Sequence, residues 1–347
     1  MADAFLTRAR FTRVLGTLAV LLAATVAASA SVGAERIALG HALFGGGADN
    51  VDRIILFTIR LPRILLAAIV GGGLAAAGTV LQALLRNPLA DPHMLGVSGG
   101  AALGAAAMLM LGGIGVAAAP EASIQVSTML VPAGAFGGAL LAMAVVYRLG
   151  SVHGRLQPYM FLLAGVVTNS FCGALILALN ALADSFQARG ILFWLLGTLE
   201  TQSWGLVAAS SVYLVVGVAG LMRHTRAFNV LSLGEESAEQ LGIDVARTRR
   251  SSFIVSSLLV GASVSVSGMI GFVGLIVPHV TRLLIGPDYR LLLPASVLTG
   301  ATFLLVADTA ARSFFGTTEL PVGVVTALCG GPFFVYLLRR EGGRGVE

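Results

Sequence analysis

The sequence predicts an all-α polytopic membrane protein, with ten transmembrane helices in a single transmembrane domain over residues 1–347. Three observations carry the prediction. Mean hydropathy is +0.90, with 56% hydrophobic and only 11% charged residues, which excludes an ordinary soluble globule. Apolar runs of about 20 residues, each enough to cross ~30 Å of hydrocarbon, recur from one end to the other. Arginines cluster at the ends of those runs, so the net charge of +5 reads as membrane topology under the positive-inside rule and not as nucleic-acid binding.

Taken in order, the first span is Val14 to Val32, headed by Arg8, Arg10 and Arg13. Ala28-Ser29-Ala30 inside it matches the A-x-A cleavage pattern, but the run is long for a signal-peptide core and more spans follow, so it reads as a retained helix. An outer loop with Glu35, Arg36, Asp49 and Asp52 follows. Arg60-Leu-Pro-Arg63 opens the second span, with Pro62 near the first helical position, where its missing N–H costs nothing. That helix runs to Leu85; Arg86-Asn87-Pro88 stops it, and Asp91-Pro92 turns into a third span from about Met94 to Gly115. The fourth, Met129 to Tyr147, carries Gly134-x-x-x-Gly138, a close helix contact of the small-residue kind.

The fifth span covers Tyr159 to Leu182, a short outer helix is expected around Gly190 to Leu199, and the sixth runs from Trp204 to Met222. Ser251 to Gly286 has 36 residues without an acid; as one helix that is roughly 54 Å, too long for a single crossing. A break at Gly268-Met-Ile-Gly271 gives two short spans, an interruption of the kind found beside transport paths. Leu293 to Thr309 and Pro321 to Leu338 complete the ten. Both termini are then cytoplasmic, with 16 arginines inner and six outer: Arg36, Arg53, Arg60, Arg63, Arg189 and Arg312.

All 22 basic residues are arginine. Without a lysine the chain has no Walker A phosphate loop and no Schiff-base amine, so any ATP that drives it is bound by another chain. Cys172 and Cys329 both lie in apolar runs and read as small core residues.

Four stretches have chemistry to offer. Ser232 to Arg250 is the longest polar stretch. Ser232 and Glu235 are spaced as a capping box, a helix follows over Leu233 to Leu241, Gly242 suits the left-handed position that ends it, and Asp244 caps the next helix. It reads as a handle on the membrane segments; the alternative is an ordinary solvated loop. Arg60, Arg63 and Arg312 are outer arginines at helix ends, with Asp308 one turn before Arg312. They read as anchors to lipid headgroups or as forks for the carboxylates of an extracytoplasmic partner. Thr168, Asn169, Ser170 and Asn180 are polar groups within the fifth span, lining a path or bonding across helices. Gly96-Val-Ser98-Gly-Gly100 fits G-x-S-x-G, the nucleophile pattern of many hydrolases, with His93 and His279 as candidate bases of an intramembrane serine protease. With 44 glycines such a match is cheap, and close packing explains the same residues.

The chain resembles the permease subunits of type II ABC importers for iron chelates and cobalamin. The resemblance runs from Arg60 to Leu338 and rests on Arg60 to Arg63 with Leu81 to Pro92 and Leu95 to Gly100, on Ser232 to Asp244, on Gly271 to His279 with Arg282, and on Ala307 to Arg312 with Glu319 to Gly323. It implies ten helices per subunit and a homodimer in the bacterial inner membrane with its path on the two-fold axis. Two cytoplasmic ATPase subunits that carry ATP and Mg, and a periplasmic substrate-binding protein, complete the implied assembly; this chain is itself neither enzyme nor holder of a cofactor or metal. Under the resemblance, Ser232, Leu233, Gly234, Glu235, Glu236, Ala238, Glu239, Leu241 and Gly242 match the coupling helices seated on the ATPase. Arg60, Arg63 and Arg312 match the arginines that meet the binding protein, and the fifth helix, with Thr168, Asn169, Phe171 and Leu175, lines the path. The expected cargo is haem or a ferric siderophore, with cobalamin as the alternative. Glu200 departs from the small residues usual at its position.

Overall fold

A helix built from glycine, alanine and branched apolar residues lets its neighbours approach on every side, and Leu61–Leu85 is that helix here. The computed structural model describes residues 6–32, 38–44, 50–116, 120–152, 155–199, 203–313 and 319–342. Arg36, Asp49 and Glu200 lie outside the described residues. The chain runs through α1 (Arg8–Ser31), α2 (Leu39–Phe44) and α3 (Val51–Ile54) into α4 (Leu61–Leu85), with α3 and α4 fused by π-helical turns over Ile55–Arg60. The second span therefore does not open at Arg60 to Arg63, as expected, but forms a rod of 35 residues from Val51. A proline ring clashes with the carbonyl four residues earlier in a regular helix, and the wider π turn before Pro62 makes room for it.

The central stretch of this rod is 83% buried, packed by α9 (Trp204–Met222), α12 (Val245–Ser267), α13 (Val273–Ile285) and α14 (Tyr289–Ser313). At two places only glycine fits. The carbonyl of Gly300 in α14 fills the space a side chain on Gly71 would take, and the backbone of Gly274 in α13 does the same at Gly78. Gly71→Val is expected to cost about 1–3 kcal/mol or more through overpacking, read as a lowered melting temperature in detergent; an unchanged melt would show that the α4–α14 contact is looser than described.

A second pair, α5 (Val97–Val116) and α6 (Pro120–Gly150), meets along Gly100, Gly104, Gly134 and Gly138, backbone to backbone, as the Gly134-x-x-x-Gly138 spacing predicts. A hairpin of two short strands, β1 (Ser151–Val152) and β2 (Arg155–Leu156), leads into α7 (Pro158–Leu182). The short helix expected at Gly190 to Leu199 is α8 (Ser185–Leu195), five residues earlier at its start. Asp184 accepts from the amides of Phe186 and Gln187, and the Gln187 side chain accepts from Asp184 N, a capping box that fixes the earlier start. Between α9 and α12 lie α10 (Thr225–Leu231) and α11 (Glu235–Gln240), and α15 (Val322–Gly342) closes the chain.

The expected interruption is present. Gly268 at φ +66° and Phe272 at φ +67° break the chain between α12 and α13. The two halves are not equally short, however: Asp244 caps α12 from Val245, which gives it 23 residues against 13 for α13. Among the described residues seven helices are long and apolar enough to cross a membrane, and three shorter apolar helices, Val97–Leu111, Val273–Ile285 and Val322–Leu337, accompany them. The protein is thus an all-α polytopic membrane protein. α1 packs on α14 through a hydrogen bond of 2.7 Å between the hydroxyls of Ser29 and Thr309. Cys172 is buried as expected, but Cys329 is exposed on α15, because its apolar run presents that face outward and not to the core.

Candidate functional site

The polar stretch folds into a platform at one end of the bundle. Ser232 is still helical and closes α10, its Oγ donating to Asn229 O at 2.6 Å. Gly234, at φ +136°, then turns the chain, and α11 starts at Glu235 with no side-chain cap. The expected Ser232–Glu235 capping box is therefore not formed: the hydroxyl bonds backward, and Glu235 Oε1 accepts from Arg249 Nη2 at 2.6 Å. Ala238 turns inward and is fully buried, whereas Leu233 and Leu241 are 71% and 66% exposed, beside exposed Glu236 and Glu239. Gly242 at φ +80° ends the turn, and Asp244 Oδ1 accepts from Arg247 N at 2.9 Å, both as the sequence predicts.

Beneath the platform lies a clamp that sequence reasoning missed. Phe228 is buried edge-on against Tyr289, with centroids 5.8 Å apart. Asn229 Nδ2 donates to Asp288 Oδ1 at 2.8 Å and its Oδ1 accepts from Tyr289 N at 2.8 Å, joining α10 to the start of α14. Arg282 of α13 stands 5.8 Å over the Tyr289 ring and donates to Gln82 of α4 at 3.2 Å. No spacing rule links Asn229 to Asp288, 59 residues apart; only their shared position at helix ends hints at it.

Hydrogen bonds from Arg290 and Asn229, the Arg290 contribution being the larger, hold the Asp288 carboxyl well below its ordinary 3.8, at about 2. A depressed acid stabilises the fold above its unfolded value and ceases to do so as pH falls through the folded one. Asp288→Asn is therefore expected to melt below the parent protein at pH 5 and to converge with it as pH falls from 3.8 toward about 2. A constant gap across that window would show that Asp288 acts through shape, not charge.

At the opposite end the three arginines are not exposed forks. Arg60 and Arg312 are each 5% exposed, and Arg60 Nη1 donates to Ala30 O at 2.7 Å. Arg63 Nη2 donates to Asp308 Oδ1 at 3.0 Å and its Nη1 to Glu319 Oε2 at 2.7 Å. Asp308, wholly buried, also lies 3.1 Å from Arg312 Nε, the expected i, i+4 pair. That N–H does not point along a hydrogen bond, so this contact is a charge contact. The reason for the inward turn is desolvation: guanidiniums at the edge of hydrocarbon need acids, and Asp308 and Glu319 are the acids at hand.

On α7 the four named residues divide. Phe171 and Leu175 are 63% and 38% exposed, whereas Thr168 is buried. Asn169 bonds across helices, Nδ2 donating to His93 O at 2.8 Å and Oδ1 accepting from Gly99 N at 3.1 Å. Ser98 is 1% exposed within α5, and Asn169 fills the open side of neighbouring Gly99; packing accounts for the G-x-S-x-G match.

The model of the family described as the FecCD transport family matches residues 18–340. The chain belongs to the FecCD transport family. FecCD relatives include the cobalamin import system permease protein BtuC of Halobacterium salinarum, 46% identical over 293 residues that cover 84% of this chain and 75% of that one. The hemin transport system permease protein HmuU of Yersinia pestis is 40% identical over 329 residues, covering 94% and 95%. A solved structure described as an inward-facing conformation of a metal-chelate type ABC transporter superposes with a TM-score of 0.79 at 32% identity, covering 95% of this chain and 99% of the other. The FecCD chain is a membrane permease of an ABC importer.

Proposed function

We propose that two copies of this chain form the path of an ATP-driven importer in the bacterial inner membrane, both termini cytoplasmic, and move a metal chelate, haem or a ferric siderophore, inward from the periplasm. The α11 platform carries the reading. Its exposed Leu233 and Leu241, interleaved with Glu236 and Glu239, offer an apolar contact with an acidic rim, and the Asn229 and Arg282 clamp ties it to α14, α13 and α4. Two cytoplasmic ATPase subunits dock there, and the chain's lack of lysine supports ATP and Mg being held on them. ATP closure moves the platform, and the differing affinity of inward- and outward-open states for the partners drives the path open to each side in turn. The exposed side chains of Phe171 and Leu175 support a path along α7 with the second copy opposite. A periplasmic binding protein meets the other end, where Glu319, 49% exposed on its side chain, can yield Arg63 to a partner carboxylate.

A second reading, cobalamin as cargo, is favoured by the 46% identity to a cobalamin permease. The deciding experiment purifies the tagged chain with its partners, reconstitutes the complex in liposomes and compares uptake of haem, ferric siderophores and cobalamin. ATP-dependent uptake of an iron chelate but not of cobalamin is expected; the reverse would move the assignment to cobalamin, and a chain that carries no ATPase with it would overturn the importer reading of the platform.

A further inference from the structure

We propose that Ala28-Ser29-Ala30 is a competent signal-peptidase site that the outer arginine cluster keeps uncut, so that α1 stays on the permease as the cover of Arg60 and Arg312. The inference rests on the orientation proposed above, with this end of α1 outside. The motif has small residues at the first and third places before the bond that would be cut, the peptide bond from Ala30 to Ser31. Counted only as far as the motif, the apolar core runs from Val14 to Ala27 behind Arg8, Arg10 and Arg13, within the about 7–15 residues of a cleavable signal. Local sequence therefore leaves the bond open to the peptidase; the fold closes it.

The buried residues of α1 are Ser29 and Ala30, both inside the motif. Elsewhere the helix has little cover: its most apolar stretch is only 11% buried. Polar bonds fasten its two ends. At the inner end Arg10 Nη2 donates to Ile285 O at 2.8 Å. At the outer end Arg60 Nη1 donates to Ala30 O at 2.7 Å, Arg312 Nη2 donates to Ser29 Oγ at 3.0 Å, and the Ser29 and Thr309 hydroxyls meet at 2.7 Å. The carbonyl that Arg60 holds is that of the bond to be cut. The turn is also still helical, with Val32 N donating to Ala28 O at 3.0 Å, whereas recognition of a peptide through its backbone takes an extended segment. Presenting the bond therefore requires the last turn to unwind and both guanidiniums to give up an acceptor. Arg60 and Arg312 are each 5% exposed, so water cannot readily replace what they lose, and the carbonyl end of a helix, with its partial negative charge, suits them.

Intact-mass measurement of the protein purified from membranes tests this. The parent should keep Ala30 joined to Ser31; a parent that begins at Ser31 would overturn the proposal. In the double variant Arg60→Met with Arg312→Met, water adds across the freed bond to leave a carboxylate on Ala30 and an amine on Ser31. The fraction cut should rise at least about tenfold, because cleavage follows the population of the opened turn, and a double variant left whole overturns the shield. Adding Ala30→Leu should abolish the cut, since the site takes small residues; a cut that persists belongs to another protease and counts against the site. Gly78→Val, which crowds α13 at a point 15 residues along α4 from Arg63, roughly 22 Å away, should stay whole. Equal cutting there would make general loosening the cause and overturn the shield. Should the double variant fail to accumulate, pulse labelling reads the same cut on newly made chain, and chain still whole there overturns the proposal. Val51→Cys, at a residue 64% exposed, labelled from outside by an impermeant maleimide with Cys172→Ala and Cys329→Ala in the background, checks the orientation by itself. Absence of label overturns the orientation and the proposal with it, whereas labelling together with an uncut double variant overturns the shield alone.

Discussion

Asp308→Ala will destabilise the protein by about 3–5 kcal/mol, the cost typical of removing one partner from a buried ion pair. Its carboxylate is fully buried between Arg63 at 3.0 Å and Arg312 at 3.1 Å, and α1, α4 and α14 meet around it through Ser29, Arg60 and Thr309. Without it two guanidiniums remain at the membrane edge with only the half-exposed Glu319 to serve them. A large fall in melting temperature, with loss of membrane-inserted protein on expression, is the expected readout. Replacing all three at once, Asp308 with Ala and both arginines with Met, should restore much of the loss, since an apolar set of similar volume is often as stable as a buried ion network. Equal damage in the single and triple variants would mean that the cluster acts by shape and not by charge.

The double variant Leu233→Asp with Leu241→Asp should weaken assembly with the ATPase by more than about tenfold, or 1.4 kcal/mol, while leaving the melting temperature of the permease alone nearly unchanged. Both leucines are more than half exposed, so under the proposed docking the cost of the change falls on the interface, where apolar anchors dominate. Charge reversal separates the two acids in the same way. Glu236→Arg touches only the rim, whereas Glu235→Arg breaks the 2.6 Å pair with Arg249 and disorders the loop itself. An ATPase that still binds the double leucine variant would remove α11 from the interface.

The membrane class and most helices were legible because hydrocarbon imposes a simple rule: an apolar run of sufficient length with arginine at its ends. The sixth span, Trp204–Met222, matches to the residue. Boundaries failed where a local device overrode the run: the π turn before Pro62 and the Asp184 capping box. In the platform, Gly242 and Asp244 were readable as local signals. The Ser232 box was not, because the same Ser-x-x-Glu spacing serves two arrangements and the left-handed turn at Gly234 selects the other. The outer arginines were readable as a cluster but not as inward-facing, since that depends on Asp308 and Glu319, up to 256 residues away in the chain from Arg63.

The helix that carries Asp308 also begins the clamp at Asp288 and Tyr289. Tyr289–Ser313 has 25 residues, roughly 37 Å at 1.5 Å per residue, and its interior is fixed against α4 by the Gly71 and Gly300 backbones. It is a strut pivoted at its middle, with one tip gripped by Asn229 under the platform and the other holding the buried carboxylate. The glycine contact with α4 thus stands midway between two polar anchors, one at each tip of the same helix.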